Sequence, residues 1–216
     1  MDIVMELVRG VFIKDDIKVY ACEKRRGRFV EEISINMCIE RDGFRRYICF
    51  MKVFMGRDLY RRWVEIFNIV NDVDLGGYMV NFYNTKVDQW LMDVVSIWLG
   101  PGERIFVEYV NDVETRKQLE RGYPIPVTRL GYELLKRGFT WFKDWYFPEG
   151  FMEGNPKIQG EKPLNRDIMK QQISSIKRDV EKFIHAVEGR EAIDIHDEHA
   201  FLRAKKVLEY IEGLDI

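Results

Sequence analysis

Cysteine is scarce in this chain, and the three that occur, Cys22, Cys38 and Cys49, form no Cys-x-x-Cys pair. An odd, scattered set of this kind builds no disulfide framework. Each lies in an apolar strand pattern, where a buried reduced thiol is the expected state, so a cytoplasmic setting is expected. A basic surplus is also missing. Lys and Arg number 34 against 36 Asp and Glu, for a formal net charge of −2, which argues against a nucleic-acid partner. No apolar run is long enough to span a bilayer, and Asp2 and Glu6 interrupt the region where a signal peptide needs its apolar core. A membrane partner is therefore not expected. Three catalytic or phosphate-binding signatures are absent: GxGxxG, GxxxxGK[ST] and the GxSxG elbow. There is no internal repeat and no low-complexity tract. Glutamine is rare and charge is high, a composition that leans towards a thermophile.

What is present is enough to fold. Apolar residues make up 46% of 216, which supports one compact domain with an appendage. Residues 3–13 and 17–22 read as two short strands around Asp15-Asp16. Phe29, Ile33, Ile35, Met37 and Ile39 alternate with polar residues as a half-buried strand. Asp42-Gly43 is a two-residue hairpin signal, and Tyr47 to Met55 returns as a strand apolar on both faces, as a central strand would be. Leu59, Trp63, Ile66, Phe67 and Val70 have the spacing of a helix with Asp58 as its N-cap. A strand over 78–83 and a helix from Lys86 to Leu99, capped by Thr85, come next. Strand 104–110 and two short helices follow, the second beginning at Thr128 and closing at Gly138. Phe139 to Phe147 reads as the last long strand, and 148–163 as a Gly- and Pro-punctuated loop of functional length. Met169, Ile173, Ile176, Val180, Phe183 and Val187 are spaced alternately four and three apart, the seam of a helix that packs on another. Ala200, Ala204, Val207 and Ile211 supply that second helix. The expected organisation is α/β, a mixed and largely antiparallel twisted sheet with flanking helices over 1–163. A helical hairpin over 164–216 would pack on it or on a second copy of the chain.

Three sets of residues carry possible chemistry. His196 and His199 lie three apart near a helix start, but two histidines without a third ligand make a poor metal site, and Asp197 and Glu198 suit a helix N-terminus. No metal is expected. Glu108 shares a strand face with Phe106 and Val110. Apolar neighbours raise a carboxyl pKa and suit it to accept a proton near neutrality; the plain alternative is a solvated or ion-paired strand end. The third set is the segment from Thr140 to Gly150 with the loop that follows. Lys143 falls between Trp141 and Trp145, either as a cation–π stack or as the polar group of a ligand cleft. Arg129, Lys143 and Lys162 would recognise an anionic small molecule, with Asp144, Trp145, Glu149 and Glu153 around it.

Two resemblances follow from these residues. The run Thr128-Arg129-Leu130-Gly131, continued by Gly138-Phe139-Thr140-Trp141-Phe142-Lys143-Asp144-Trp145-Tyr146-Phe147-Pro148-Glu149-Gly150 and Gly160-Glu161-Lys162-Pro163, resembles an uncharacterised, mainly archaeal family. That family is known only as a domain of unknown function. The order strand 78–83, helix 86–99, strand 104–110, helix 129–137, Gly138-Phe139 and strand is similar to the GCN5-related N-acetyltransferases. This second likeness implies an acetyltransferase-like fold over 1–163 and acetyl-CoA or another acyl-CoA as cofactor. Its pyrophosphate would meet Asn84, Thr85 and Lys86 at a helix start. It also implies Glu108 as proton acceptor, with Tyr146 or Tyr132 near the leaving group. Two other readings stay open: a non-catalytic domain that binds a small anion through the 139–162 segment, and an assembly module that forms a homodimer through the C-terminal helices.

Overall fold

The computed structural model describes the chain except residues 1–2, 15–16, 27, 29, 42–43, 58–60, 69–71, 75–78, 82–85, 109–112, 147–155, 191 and 216. The chain divides into two compact units, Met1–Glu108 and Tyr109–Ile216.

The first unit opens with helix α1 (Ile3–Arg9) and strand β1 (Val11–Lys14). Residues 3–13 were expected to be all strand. Leu7 instead turns a helical face inward and is fully buried, and Gly10 at φ 67° releases the chain into β1. Strands β2 (Ile17–Arg26), β3 (Val30–Arg41) and β4 (Phe44–Arg57) form an antiparallel meander. Arg41 pairs with Phe44, so two residues connect β3 to β4, as the Asp42-Gly43 signal requires; those two lie outside the described residues.

Residues 62–68 overturn the expected helix. They form β5 (Arg62–Asn68), antiparallel to β4. Apolar positions 59, 63, 66, 67 and 70 satisfy a helical period, but the burial follows a period of two, with Val64 and Ile66 inside and Trp63 and Glu65 half-buried. β-Branched and aromatic residues pack well between neighbouring strands, and that tertiary context decides the outcome. The strand expected at 78–83 is present as β7 (Met79–Asn81), which among the described residues pairs with β6 (Asp72–Asp74) in a separate two-stranded ribbon. Helix α2 (Lys86–Trp98) occupies its expected place, with Leu91, Val94, Val95 and Leu99 buried. Its cap candidate Thr85 lies outside the described residues. Strand β8 (Arg104–Glu108) then joins the sheet parallel to β5. The strand order within this unit is β1-β2-β3-β4-β5-β8, an open, mostly antiparallel sheet with one parallel pair.

In the second unit, helix α3 (Val113–Glu120) ends at Gly122, whose φ of 71° suits glycine. A 3-10 turn (Ile125–Val127) leads into α4 (Arg129–Lys136). The Thr128 hydroxyl accepts from the Gly131 N–H at 3.1 Å, as an N-cap does. Strand β9 (Trp141–Tyr146) pairs antiparallel with β10 (Pro156–Glu161). The expected loop over 148–163 thus ends in a strand. Pro156 at its start and Gly160 near its end lower its strand propensity, while Ile158, fully buried, anchors it.

Helices α5 (Arg166–Glu188) and α6 (Ile195–Glu212) form the expected hairpin. Asn165 caps the first through the Ile168 N–H at 2.9 Å, and Asp194 and Asp197 form a capping box on the second. The seam residues Ile173, Ile176, Val180, Phe183 and Val187 are buried with Ala200, Ala204, Val207 and Ile211. Tyr123, Val127 and Leu135 complete the cluster. The seam is therefore covered by its own unit. Because this cluster joins the hairpin to α3–α4, the compact boundary falls at 108/109.

Candidate functional site

The first unit brings part of the expected chemistry to one edge of its sheet. β5 and β8 run parallel in register from Trp63↔Arg104 to Phe67↔Glu108, so Glu108 is the last residue of its strand and sits at the carboxyl edge of the pair. The chain returns between them through α2, which begins at Lys86. Glu108 and Lys86 are described by backbone position alone, and Asn84 and Thr85 lie outside the described residues.

At the opposite edge, Arg62 is held in a fixed geometry. Its Nε donates to both oxygens of Glu103 at 2.9 Å, its Nη2 lies 2.9 Å from Oε2, and its backbone N–H donates to Oε1 at 3.2 Å. Gly100 N–H adds a 2.6 Å bond to Oε2. Burial pushes the Glu103 carboxyl up, but the Arg62 side chain and the two backbone donors outweigh it and leave the pKa below its ordinary value. The Arg62 guanidinium also stacks over Trp98, 4.5 Å from the ring centre. Sequence reasoning passed over this cluster.

In the second unit the β9 segment does border a concavity, though with different residues from those expected. Trp141 and Phe142 line a space of about 260 Å³ together with Thr140, Ile125, Gln172 and Asp179. The Thr140 hydroxyl donates to Gln172 Oε1 at 2.6 Å. Lys143, Asp144, Arg129 and Lys162 do not line it. Trp141 and Lys143 are exposed while Phe142 and Asp144 are half-buried, so the expected alternation holds along the strand. Lys162 places its ammonium 5.5 Å from the centre of the buried Phe139 ring. Arg129 is half-buried at the first turn of α4 and engaged in contacts of its own.

Tyr132 borders the hydrophobic cluster and carries the Lys136 ammonium over its ring at 5.0 Å. Burial, with Tyr132 nearby, pushes the Tyr210 hydroxyl up. Trp145 and Tyr146 are described by backbone alone, at register positions opposite Lys157 and Pro156. Glu149 and Glu153 lie outside the described residues.

The His-Asp-Glu-His run has local duties. Asp197, 5% exposed, accepts from the Tyr123 hydroxyl and from Arg121 at 3.0 Å, with Arg190 3.2 Å away. His199 lies 3.8 Å from Glu114, which pairs with Arg203 at 2.7 Å. No group of three or more metal-ligating side chains occurs among the described residues. No helix among them is long and apolar enough to cross a membrane.

Comparison with known proteins bears on identity alone. No curated protein matches the chain. A crystal structure of a protein of unknown function from the bacterium Aquifex aeolicus is similar at 28% identity and a TM-score of 0.71, covering 96% of this chain and 95% of that one. The family described as "Protein of unknown function (DUF1122)" matches residues 15–187, most of the chain, and the protein belongs to that family.

Proposed function

We propose that the protein is an acyl-CoA-dependent N-acyltransferase-like enzyme whose cofactor binds at the carboxyl edge of β5 and β8. One observation carries the reading: among the described residues, β5 and β8 pair in parallel in the first unit's sheet and are joined through a crossover whose helix starts at Lys86. In open sheets with helical crossovers, ligands collect outside the carboxyl ends of the parallel strands. A helix start at the same edge offers backbone N–H groups to a pyrophosphate. The strand, helix and strand of an acetyltransferase-like fold are then β5, α2 and β8, with β5 in the place first given to 78–83.

In this reading Asn84, Thr85 and Lys86 contact the pyrophosphate. Asn84-Thr85-Lys86-Val87-Asp88 contains no glycine, so the cofactor is held through fewer close backbone contacts than a glycine-rich loop allows. Glu108 takes the proton from the acceptor amine as its nitrogen attacks the thioester carbonyl. The C–N bond forms, the C–S bond breaks, and the departing thiolate takes its proton from water; Tyr132 and Tyr146, first expected to supply it, belong to the second unit. Isothermal titration with acetyl-CoA tests the first step, and absence of binding at millimolar concentration refutes the reading. With turnover in hand, Glu108→Gln should abolish the acidic limb of the kcat/KM pH profile.

A second reading rests on the Trp141–Phe142 concavity as a non-catalytic small-molecule site. Among the described residues its walls carry Asp179 and no cation, which favours a neutral or cationic ligand over the anion first expected. Assembly through the α5 seam would require that seam to leave its own unit, so a homodimer would use other surfaces.

A further inference from the structure

Strand register gathers positive charge at the edge where β2 and β4 end and β3 and β5 begin. Arg26 pairs with Glu31, Val30 with Gly56, and Arg57 with Arg62. The result is a concavity of about 390 Å³ in the first unit, with Arg26, Arg28, Arg57 and Arg62 around it and Glu31 and Trp98 in its walls. Four guanidinium groups and the Glu31 carboxylate meet there, with Arg26 Nε 3.4 Å from Glu31 Oε1. Setting Glu103 against Arg62 still leaves a positive surplus.

Two features show that this edge is built and not merely solvated. Like charges directly opposite on neighbouring strands destabilise a sheet, yet Arg57 and Arg62 are direct partners. Arg62 is also immobilised by Glu103 and Trp98, so its fork is pre-organised and little entropy is lost when it meets a ligand.

We propose that this concavity binds a small, multiply charged phosphate compound of the diphosphate type. Guanidinium forks match carboxylate and phosphate oxygens equally in planar pairing. Forks arriving from β2, from the β2–β3 connection, and from the β4 and β5 ends converge from several directions, which suits a tetrahedral group with oxygens on every side. The site is separate from the proposed acyl-CoA edge, because β5 spans about 20 Å from Arg62 to its carboxyl end.

The test is calorimetric titration of the full chain with inorganic pyrophosphate, with citrate as the carboxylate control. Saturable one-to-one binding that weakens with salt is expected. Arg57→Ala should weaken it about tenfold, the effect of one charge-assisted contact, with an unchanged circular dichroism spectrum. Glu31→Gln should tighten it, since a like charge leaves the wall. No saturable binding at millimolar pyrophosphate, equal affinity in the Arg57→Ala protein, or equally tight citrate binding overturns the proposal. If Arg57→Ala does not fold, Glu31→Gln decides: tighter binding supports the site, and unchanged or weaker binding overturns it. Because acetyl-CoA itself carries a diphosphate, the two edges are separated by reciprocal variants: Lys86→Ala should weaken acetyl-CoA and leave pyrophosphate unchanged, and Arg57→Ala should weaken pyrophosphate, so the two readings fail separately.

Discussion

Replacing Glu103 with Ala measures how firmly the β5 end is held. The carboxylate is 13% exposed and accepts from three groups: the Arg62 side chain, the Arg62 N–H and the Gly100 N–H. Truncation leaves both backbone donors without that acceptor, at about 1 kcal/mol each. The guanidinium, 35% exposed, rehydrates in part, so loss of the ion pair adds only about 1 kcal/mol more. The sum is about 3 kcal/mol. In a chain of this length each kcal/mol lowers the melting temperature by about 2–4 °C, giving a fall of roughly 6–12 °C. Melting followed by tryptophan fluorescence suits the assay, because Trp98 lies against Arg62. The control is Glu31→Gln, which breaks a pair whose arginine is 83% exposed and should change stability by less than about 0.5 kcal/mol. A Glu103→Ala protein that melts within about 2 °C of the parent would refute the claim that this cluster anchors the strand.

Three further outcomes are expected. The Glu103, Glu114 and Glu133 carboxyls all lie below their ordinary value of 4.5, where Arg62, Arg203, Lys136 and Arg137 outweigh the burial that raises them. Their stabilisation is complete above that value and lost as pH falls through the folded values, so acid melting curves should steepen there, and less so in Glu103→Gln. Gly131→Ala would put a Cβ 1.8 Å from the Ile125 carbonyl oxygen, forcing α4 off the 3-10 turn at a cost of about 3 kcal/mol by urea titration. Val180→Ala, at a fully buried seam position, should cost about 2 kcal/mol and leave the solution mass unchanged, since the seam is covered within its own unit.

How far the fold could be read depended on how many patterns a segment satisfied. The α5 stripe fits one period over five helical turns, and Asn165 and Thr128 are caps placed where only a helix start uses them. Those helices were legible. Residues 59–70 fit two periods, and only pairing with β4 and β8 decides between them. Strand β10 was hidden for a different reason. Its Lys, Gln, Gly and Glu describe a loop, and a single buried isoleucine with a β9 partner makes it a strand.

The arginine-lined edge was illegible for a reason that is physical rather than statistical. Each of Arg26, Arg28, Arg57 and Arg62 taken singly is an ordinary solvated charge at a strand end. They become a site only through register, which a one-residue slip would destroy by turning every side chain of a strand to the other face. Register here is fixed by features that look like packing: the two-residue β3–β4 connection, and the Trp63 ring laid on Gly56, its direct strand partner. Gly56→Ala therefore acts on both at once. It should displace Trp63, destabilise the β4–β5 pair and scatter the guanidinium forks. Pyrophosphate binding would then fall with it, even though the substitution alters no charge.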